Sequence, residues 1–212
     1  MITQSLEAES LSKKSLEDYL AHMNESLIHC KNNNIQAFNL LSSLKDIAVG
    51  QSNHNIKEFN LFHLLQNIVS TFKPQLKRLA NPVEIEVDET LFINSYPGGL
   101  SQVINNLINN SLLHGFIDDK QSKEQISISA TDDNEMINLV YRDNGVGMDE
   151  IELANALERF YTTRANKGGS GLGLSICEDI IKNDLLGHLS IETTKNEGIT
   201  FYISLKKDLM SK

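Results

Sequence analysis

Between Gly168 and Gly173 the chain places four glycines in six residues, Gly168-Gly-Ser-Gly-Leu-Gly173, and then enters the apolar stretch that begins at Leu174. A backbone so poor in β-carbons is a poor strand or helix interior, because glycine loses the most conformational freedom on folding. It can approach a ligand or another strand closely. Its N–H groups can line an anion site where the loop enters a helix. It is not a P-loop, since no Gly-Lys-Ser/Thr follows. Alone, the loop reads equally as an anion cradle or as a plain hinge, and the rest of the chain has to decide.

The chain has 212 residues, 40% of them apolar, enough for one domain with an extension or two small domains around a packed core. The net charge of -9 and pI near 5.1 argue against non-specific nucleic-acid binding, which needs clustered Lys and Arg. A polyphosphate remains possible where cations gather locally, and Arg159, Arg164 and Lys167 fall within nine residues. Cys30 and Cys177 stand in no metal-ligand spacing and read as free thiols of a reducing cytoplasm. The start, Met1-Ile-Thr-Gln-Ser-Leu-Glu-Ala-Glu-Ser10, is polar and acidic, unlike a signal peptide. No apolar run approaches the ~18 residues of a membrane span. The expectation is a soluble, cytoplasmic piece, with any membrane anchor in a larger parent protein.

Residues 11 to about 48 read as a long helix or helical hairpin. Leu16, Leu20, Met23, Leu27, Cys30, Asn34, Ala37, Leu41, Leu44 and Ala48 alternate by four and three, a heptad seam that predicts a partner helix and a possible homodimer. Gly50 to Asn55 reads as a linker, and a helix is predicted over about 61–79. Val83, Ile85 and Val87 alternate with Glu84, Glu86 and Asp88 as a half-buried strand, followed by a short strand at Leu91-Phe92-Ile93. Tyr96-Pro97-Gly98-Gly99 reads as a turn into the next helix. A strand pair is expected at 126–130 and 136–142, a helix near Leu172, and two closing strands at about 188–193 and 199–205. Without a steady βαβ repeat, a mixed-sheet α/β sandwich is expected rather than a doubly wound parallel sheet.

Three segments carry chemistry. In Leu100 to His114, apolar residues follow helical spacing while Asn106 and Asn110, four apart, share another face. Asparagine is a weak helix former, so four in one helix need a reason, and an amide oxygen suits a hard cation such as Mg²⁺. A solvated polar face is the plainer reading. Asp143-Asn-Gly-Val-Gly-Met148 follows a β-like run; a carboxylate at a strand end can accept from an exocyclic amine, and its glycines admit a flat ring or a phosphate. The glycine loop at 168–173 is the third.

Taken in order and spacing, these segments resemble the GHKL ATP-binding superfamily and, within it, bacterial sensor histidine kinases. Gln102-Val103 with Asn106-Leu107 and Asn110 resembles the N box, Asp143, Gly145 and Gly147 the G1 box, Phe160-Tyr-Thr-Thr-Arg164 the F box, and Gly169, Gly171 and Gly173 the G2 box. Gly198-Ile-Thr-Phe201 resembles the closing strand, and the resemblance covers about residues 59–205. It implies an α/β two-layer sandwich of mixed sheet on helices (the Bergerat fold) over 59–206, preceded by a linker at 51–58 and a helical dimerisation segment over 1–50. It implies that Asp143 receives the adenine amino group, with Gly145, Gly147, Met148 and Thr200 around the base. Asn110 is implied to hold Mg²⁺, with Asn106 in support. Met148 to Gly168, including Phe160, Arg164 and Lys167, is implied to be a lid over the nucleotide. Gly169, Ser170, Gly171, Leu172, Gly173 and Leu174 are implied to meet the phosphates. The implied reaction moves the ATP γ-phosphoryl group to a histidine, leaving ADP, and a response regulator then receives it. A nucleotide sensor, a protein-serine kinase or ATPase of the same superfamily, and a purely structural coiled-coil protein remain as alternatives.

The sequence departs from the family at two places. Where many members carry a Lys three residues after the Mg²⁺-binding Asn, this chain has Leu113, followed by His114, which is expected to contact phosphate instead. None of His22, His29, His54, His63, His114 and His188 has the acidic and proline neighbours of a phosphoacceptor. Residues 37–49 resemble the second helix of the phosphotransfer domain. The expectation is that the acceptor histidine lies on a helix upstream of Met1, in a truncated chain or a split gene.

Overall fold

The computed structural model describes residues 14, 16–24, 26–27, 55–77, 83–116, 124–164 and 169–210. The described positions between 14 and 27 are helical and exposed, with Leu16, Leu20, Met23 and Leu27 each 43–62% accessible. The rest of the heptad seam, from Cys30 to Ala48, lies outside the described residues, as do Lys167 and Gly168.

The elements that follow are β1 (Lys57–Asn60), α1 (Leu61–Thr71), α2 (Lys73–Leu76), β2 (Glu84–Glu86), β3 (Phe92–Ser95), α3 (Pro97–Asn110), β4 (Ile126–Asp133), β5 (Met136–Asp143), α4 (Glu150–Asn155), α5 (Gly173–Asp179), β6 (His188–Thr194) and β7 (Gly198–Lys206). β1 begins inside the stretch expected to be linker, because Lys57–Asn60 pairs antiparallel with β3 in a small separate sheet. The main sheet has the order β2-β4-β5-β7-β6; β2–β4 is parallel and every other pair antiparallel. The expected mixed sheet is therefore present.

Helices α1, α3 and α5 cover one face of it. Leu61, Leu65 and Ile68 from α1 and Leu100, Val103, Ile104, Leu107 and Ile108 from α3 are buried at helical spacing, against Ile126, Ile128, Ile137, Leu139, Phe201, Ile203 and Leu205 from alternate strand positions. Burial of each Leu or Ile contributes on the order of 2 kcal/mol. Tyr96-Pro97-Gly98-Gly99 is not a free turn, since Pro97 opens α3 at its first position and both glycines are helical. Gly99 has a packing reason: a β-carbon there would lie 3.0 Å from the Ile180 side chain and closer still to the Tyr96 ring. Both α3 and α5 run on into a π-helical turn, Ser111–Gly115 and Ile180–Asp184, which periodicity did not foreshadow.

Candidate nucleotide-binding site

Strand β5 buries Ile137, Leu139, Tyr141 and then Asp143, so a carboxylate occupies the last position of a core-facing row. Asp143 is 2% exposed. One carboxylate oxygen, Oδ2, accepts from Ser111 Oγ at 2.5 Å, and Oδ1 accepts from the Gly145 N–H at 3.0 Å. Burial raises the acid above the usual carboxylate range, and the hydrogen bonds from Ser111, Gly145 and Ile199 pull against that rise. The Tyr141 hydroxyl lies 2.8 Å from Ser111 Oγ, deep in the core.

Asp143 lines a cavity of about 660 Å³ between α3, the ends of β5 and β7, and the segment from Val146 to Gly173. That volume suits a nucleotide-sized ligand. Its wall includes Asn106 and Asn110, which α3 presents four residues apart on one face, and His114 from the π turn. Asn106 Nδ2 donates to the Gly173 carbonyl at 3.3 Å, tying α3 to the glycine loop. A β-carbon on Gly173 would come 3.7 Å from Asn110 Oδ1. Gly169, Ser170 and Leu174 line the same wall, whereas Leu172, at the N-cap of α5, packs toward the core. Gly171 has φ +66° and its carbonyl accepts from the Phe160 N–H at 2.8 Å, so the loop and the lid segment lie backbone to backbone.

Arg164 lines the cavity. His114 Nδ1 is 3.4 Å from Thr163 Oγ, and burial first, the Arg164 charge second, lower its pKa. Arg159 is not at the cavity, since it pairs with Asp179 at 2.8 Å on the exposed surface. Phe160 is 66% exposed, with φ +69°, and does not line the cavity. Gly145 sits behind the wall, where a β-carbon would strike the Gly115 backbone at 2.7 Å.

At the other end, Gly147 has φ +63° and a β-carbon there would strike the Thr194 carbonyl oxygen. The Met148 N–H donates to Thr193 Oγ at 2.9 Å, and Thr193 in turn donates to the Gly198 carbonyl. Asn196 N–H donates to the Val146 carbonyl at 2.7 Å. α4 opens with a capping box between Asp149 and Glu152, and Lys195 Nζ bonds Glu152 at 2.8 Å. The root of the lid segment is thus fastened to the β6–β7 turn. Thr200 is absent from the wall; its neighbours Ile199 and Phe201 line it, because the pleat sends alternate β7 residues to opposite faces. Sequence reading assigned no role to Ser111, Tyr141, Glu152, Lys195 or Ile199. Tyr141 and Ile199 had a signal in strand alternation. Lys195, in a hairpin turn, had none.

A mixed sheet with helices on one face and a cavity between helix and lid defines a two-layer nucleotide-binding ATPase domain. The chain belongs to the histidine kinase-, DNA gyrase B- and HSP90-like ATPase family, whose model matches residues 96–209. Among curated relatives, the C4-dicarboxylate transport sensor protein DctB of Pseudomonas aeruginosa is 34% identical over 95 residues, 45% of this chain and 15% of that protein. Sensor protein EvgS of Escherichia coli K12 is 31% identical over 151 residues, 69% of this chain and 12% of that protein. The chain therefore spans only a small part of the length of these relatives. The nucleotide-free catalytic domain of histidine kinase ThkA shares the fold at TM-score 0.60 and 24% identity, covering 73% of this chain and 97% of that one. The same kinase in complex with response regulator protein TrrA matches at TM-score 0.59 and 19% identity over 97% of this chain and 55% of that one.

Proposed function

We propose that this is the catalytic ATP-binding domain of a two-component sensor kinase, and that it binds Mg-ATP in the cavity and donates the γ-phosphoryl group to a histidine. The observation that carries the reading is Asp143: a buried carboxylate at a core-facing strand position, turned to a cavity whose far wall holds Asn110, His114 and Arg164. Asp143 accepts the adenine amino group. Ile199, Phe201, Val146 and Met148 enclose the ring, and Arg164, His114 and the loop from Gly169 to Gly173 receive the phosphates. Lys167, outside the described residues, belongs with them by its place in the lid segment.

The donor set fits a magnesium ion that arrives with the nucleotide. Asn110 offers one neutral amide oxygen at the cavity wall, and among the described residues no cluster of His, Cys, Asp and Glu could hold a metal by itself. When bound, the ion neutralises phosphate charge. Asn110 holds that edge of the phosphates, and Asn106 keeps the glycine loop against α3. In the transfer, a histidine nitrogen forms a bond to the γ-phosphorus while the bond to the β-phosphate oxygen breaks, and ADP leaves with that electron pair.

The acceptor histidine belongs to a helical phosphotransfer segment of the parent system, and a response regulator receives the phosphoryl group next. The complex of ThkA with the response regulator protein TrrA supports a response regulator as partner. The apolar seam at Leu16, Leu20, Met23 and Leu27 suits pairing with a second copy. The test is thermal stabilisation by Mg-ATP and by a non-hydrolysable analogue, followed by phosphoryl transfer to a supplied histidine helix. Stabilisation without transfer to any such helix would favour a nucleotide sensor; no stabilisation by either nucleotide would refute the ATP site itself.

A further inference from the structure

We propose that Ser111 and Tyr141 are positioning residues that hold Asp143 as an acceptor-only group, so that the cavity selects a base carrying an exocyclic amine over one carrying a carbonyl there. The inference rests on the reading that Asp143 faces the base.

Its basis is a count of hydrogens. Ser111 Oγ has one proton and three neighbours: Asp143 Oδ2 at 2.5 Å, Tyr141 Oη at 2.8 Å and the Leu107 carbonyl at 3.3 Å. An ionised carboxylate only accepts, so the serine proton is committed to Oδ2, by far the shortest contact. Tyr141 must then donate to Ser111. Its phenol stays protonated, because complete burial pushes its pKa well above the ordinary value. The relay runs one way, from Tyr141 through Ser111 to Asp143, with the Gly145 N–H fixing the other oxygen. Gly115 lacks the β-carbon that would sit 3.5 Å from Oδ1, which leaves that side of the carboxylate open.

The relay matters because burial works against it. Desolvation favours the protonated acid, and a protonated Asp143 could donate to a carbonyl on the wrong base. Ser111 opposes that protonation with a charge-assisted bond. The other titratable or charged groups around the cavity are His114 from the π turn, Glu152, Tyr161 and Arg164 from the lid segment and Lys195 from the β6–β7 turn.

The experiment uses the full chain. Affinities for ATP and inosine triphosphate, which differ at the position in question, are measured by competition between pH 5 and 8. Each variant is made in wild type and in a His114→Gln background, which removes imidazole titration. Ser111→Ala is expected to weaken ATP about tenfold. It should also lower the preference for ATP over inosine triphosphate, and move the acid loss of ATP affinity to higher pH. Ser111→Thr should restore all three. Tyr141→Phe should shift preference and pH limb in the same direction by less, and decides the matter if Ser111→Ala does not fold. Loss of stability with an unmoved preference and pH limb would overturn the proposal. Asp143→Asn separates the two ideas: if it abolishes the base preference while Ser111→Ala and Tyr141→Phe leave it intact, only the relay fails. If Asp143→Asn itself retains the preference, the base-facing role of Asp143 fails with it.

Discussion

Replacing Asp143 by Asn should weaken nucleotide binding without weakening the fold, and the two effects have separate physical origins. In the folded chain the carboxyl pKa is raised, by burial more than the hydrogen bonds from Ser111, Gly145 and Ile199 can lower it. A raised acid binds its proton more tightly folded than unfolded, so stability falls as pH rises from the ordinary carboxylate value through the folded one. Above that window the full penalty of a buried charge is present, and at neutral pH Asp143 is a destabilising group in the unliganded fold. Asn has the same shape, keeps an oxygen for the Gly145 N–H and carries no charge. The unliganded variant should therefore melt no lower than wild type at pH 7, with the difference closing as pH falls toward about 4. Binding is a different matter. A hydrogen bond to a charged acceptor contributes roughly 1.5–3 kcal/mol, which corresponds to about 10- to 150-fold in Kd for an adenine nucleotide. Thermal melts across pH and calorimetric titration with a non-hydrolysable analogue give both numbers from one preparation. A melting temperature lowered by about 5 °C or more, roughly 1–2 kcal/mol for a domain of this size, together with unchanged affinity, would refute the reasoning: Asp143 would then be a structural acceptor and nothing more.

Gly147→Ala should destabilise by about 2–5 kcal/mol in urea unfolding, since it combines left-handed backbone with a methyl pressed into the Thr194 carbonyl. Gly115→Ala, whose methyl would meet Asp143 at ordinary contact distance, should change nucleotide affinity more than stability, read by the same two assays. Lys195→Ala removes exposed ion pairs to Glu152 and Asp149, which water and salt screen, so the midpoint of global unfolding should barely move. Amide exchange at 149–155 should quicken, because the latch on α4 is lost; unchanged exchange there would show that the backbone bonds of Val146 and Met148 suffice. His114 should titrate below the ordinary imidazole value in the free protein, so it is neutral at pH 7, and its NMR midpoint should rise on adding a triphosphate. A midpoint that does not move would place the ring away from phosphate.

Local spacing made much of this domain readable. Asn106 and Asn110 announced themselves as a polar pair in an apolar helix, and the glycines at 145, 147 and 171 stand where the structure excludes a β-carbon. The strands β4 to β7 were expected and the structure extends them by one to three residues, whereas the strand expected over Val83–Asp88 shrinks to Glu84–Glu86 and β1 arises in the stretch expected to be linker. What could not be read was the register between distant segments. Asp143 stands opposite Ile199 because β5 and β7 pair antiparallel, and a one-residue slip would have brought Thr200 to the cavity instead. Ser111, at the end of α3, meets Asp143, at the end of β5 and thirty-two residues on, a contact that helical periodicity does not announce. Arg159 looked like a phosphate ligand on charge alone. Its partner Asp179, twenty residues on, takes it to the surface, and only the folded positions of α4 and α5 could reveal that pairing.

These registers also divide the cavity into two ends of different rigidity. The proposed base end is built from the last position of β5, the first positions of β7 and the β6–β7 turn, held by ladder bonds and by the buried Tyr141–Ser111–Asp143 chain. The phosphate end depends on α3 and on a glycine loop joined to it by one hydrogen bond of 3.3 Å from Asn106. Arg164, on the lid segment, is half-buried, and among the described residues no hydrogen bond or ion pair holds its guanidinium. In a chain of net charge -9, a cation at a cavity wall is a site for anionic ligand charge to settle. A nucleotide would thus be read first by the stiff end and would order the loose end through its phosphates. On that account, Asn106→Ala should leave adenosine affinity near wild type while weakening the triphosphate, and equal losses for both would show that the two ends are one cooperative unit.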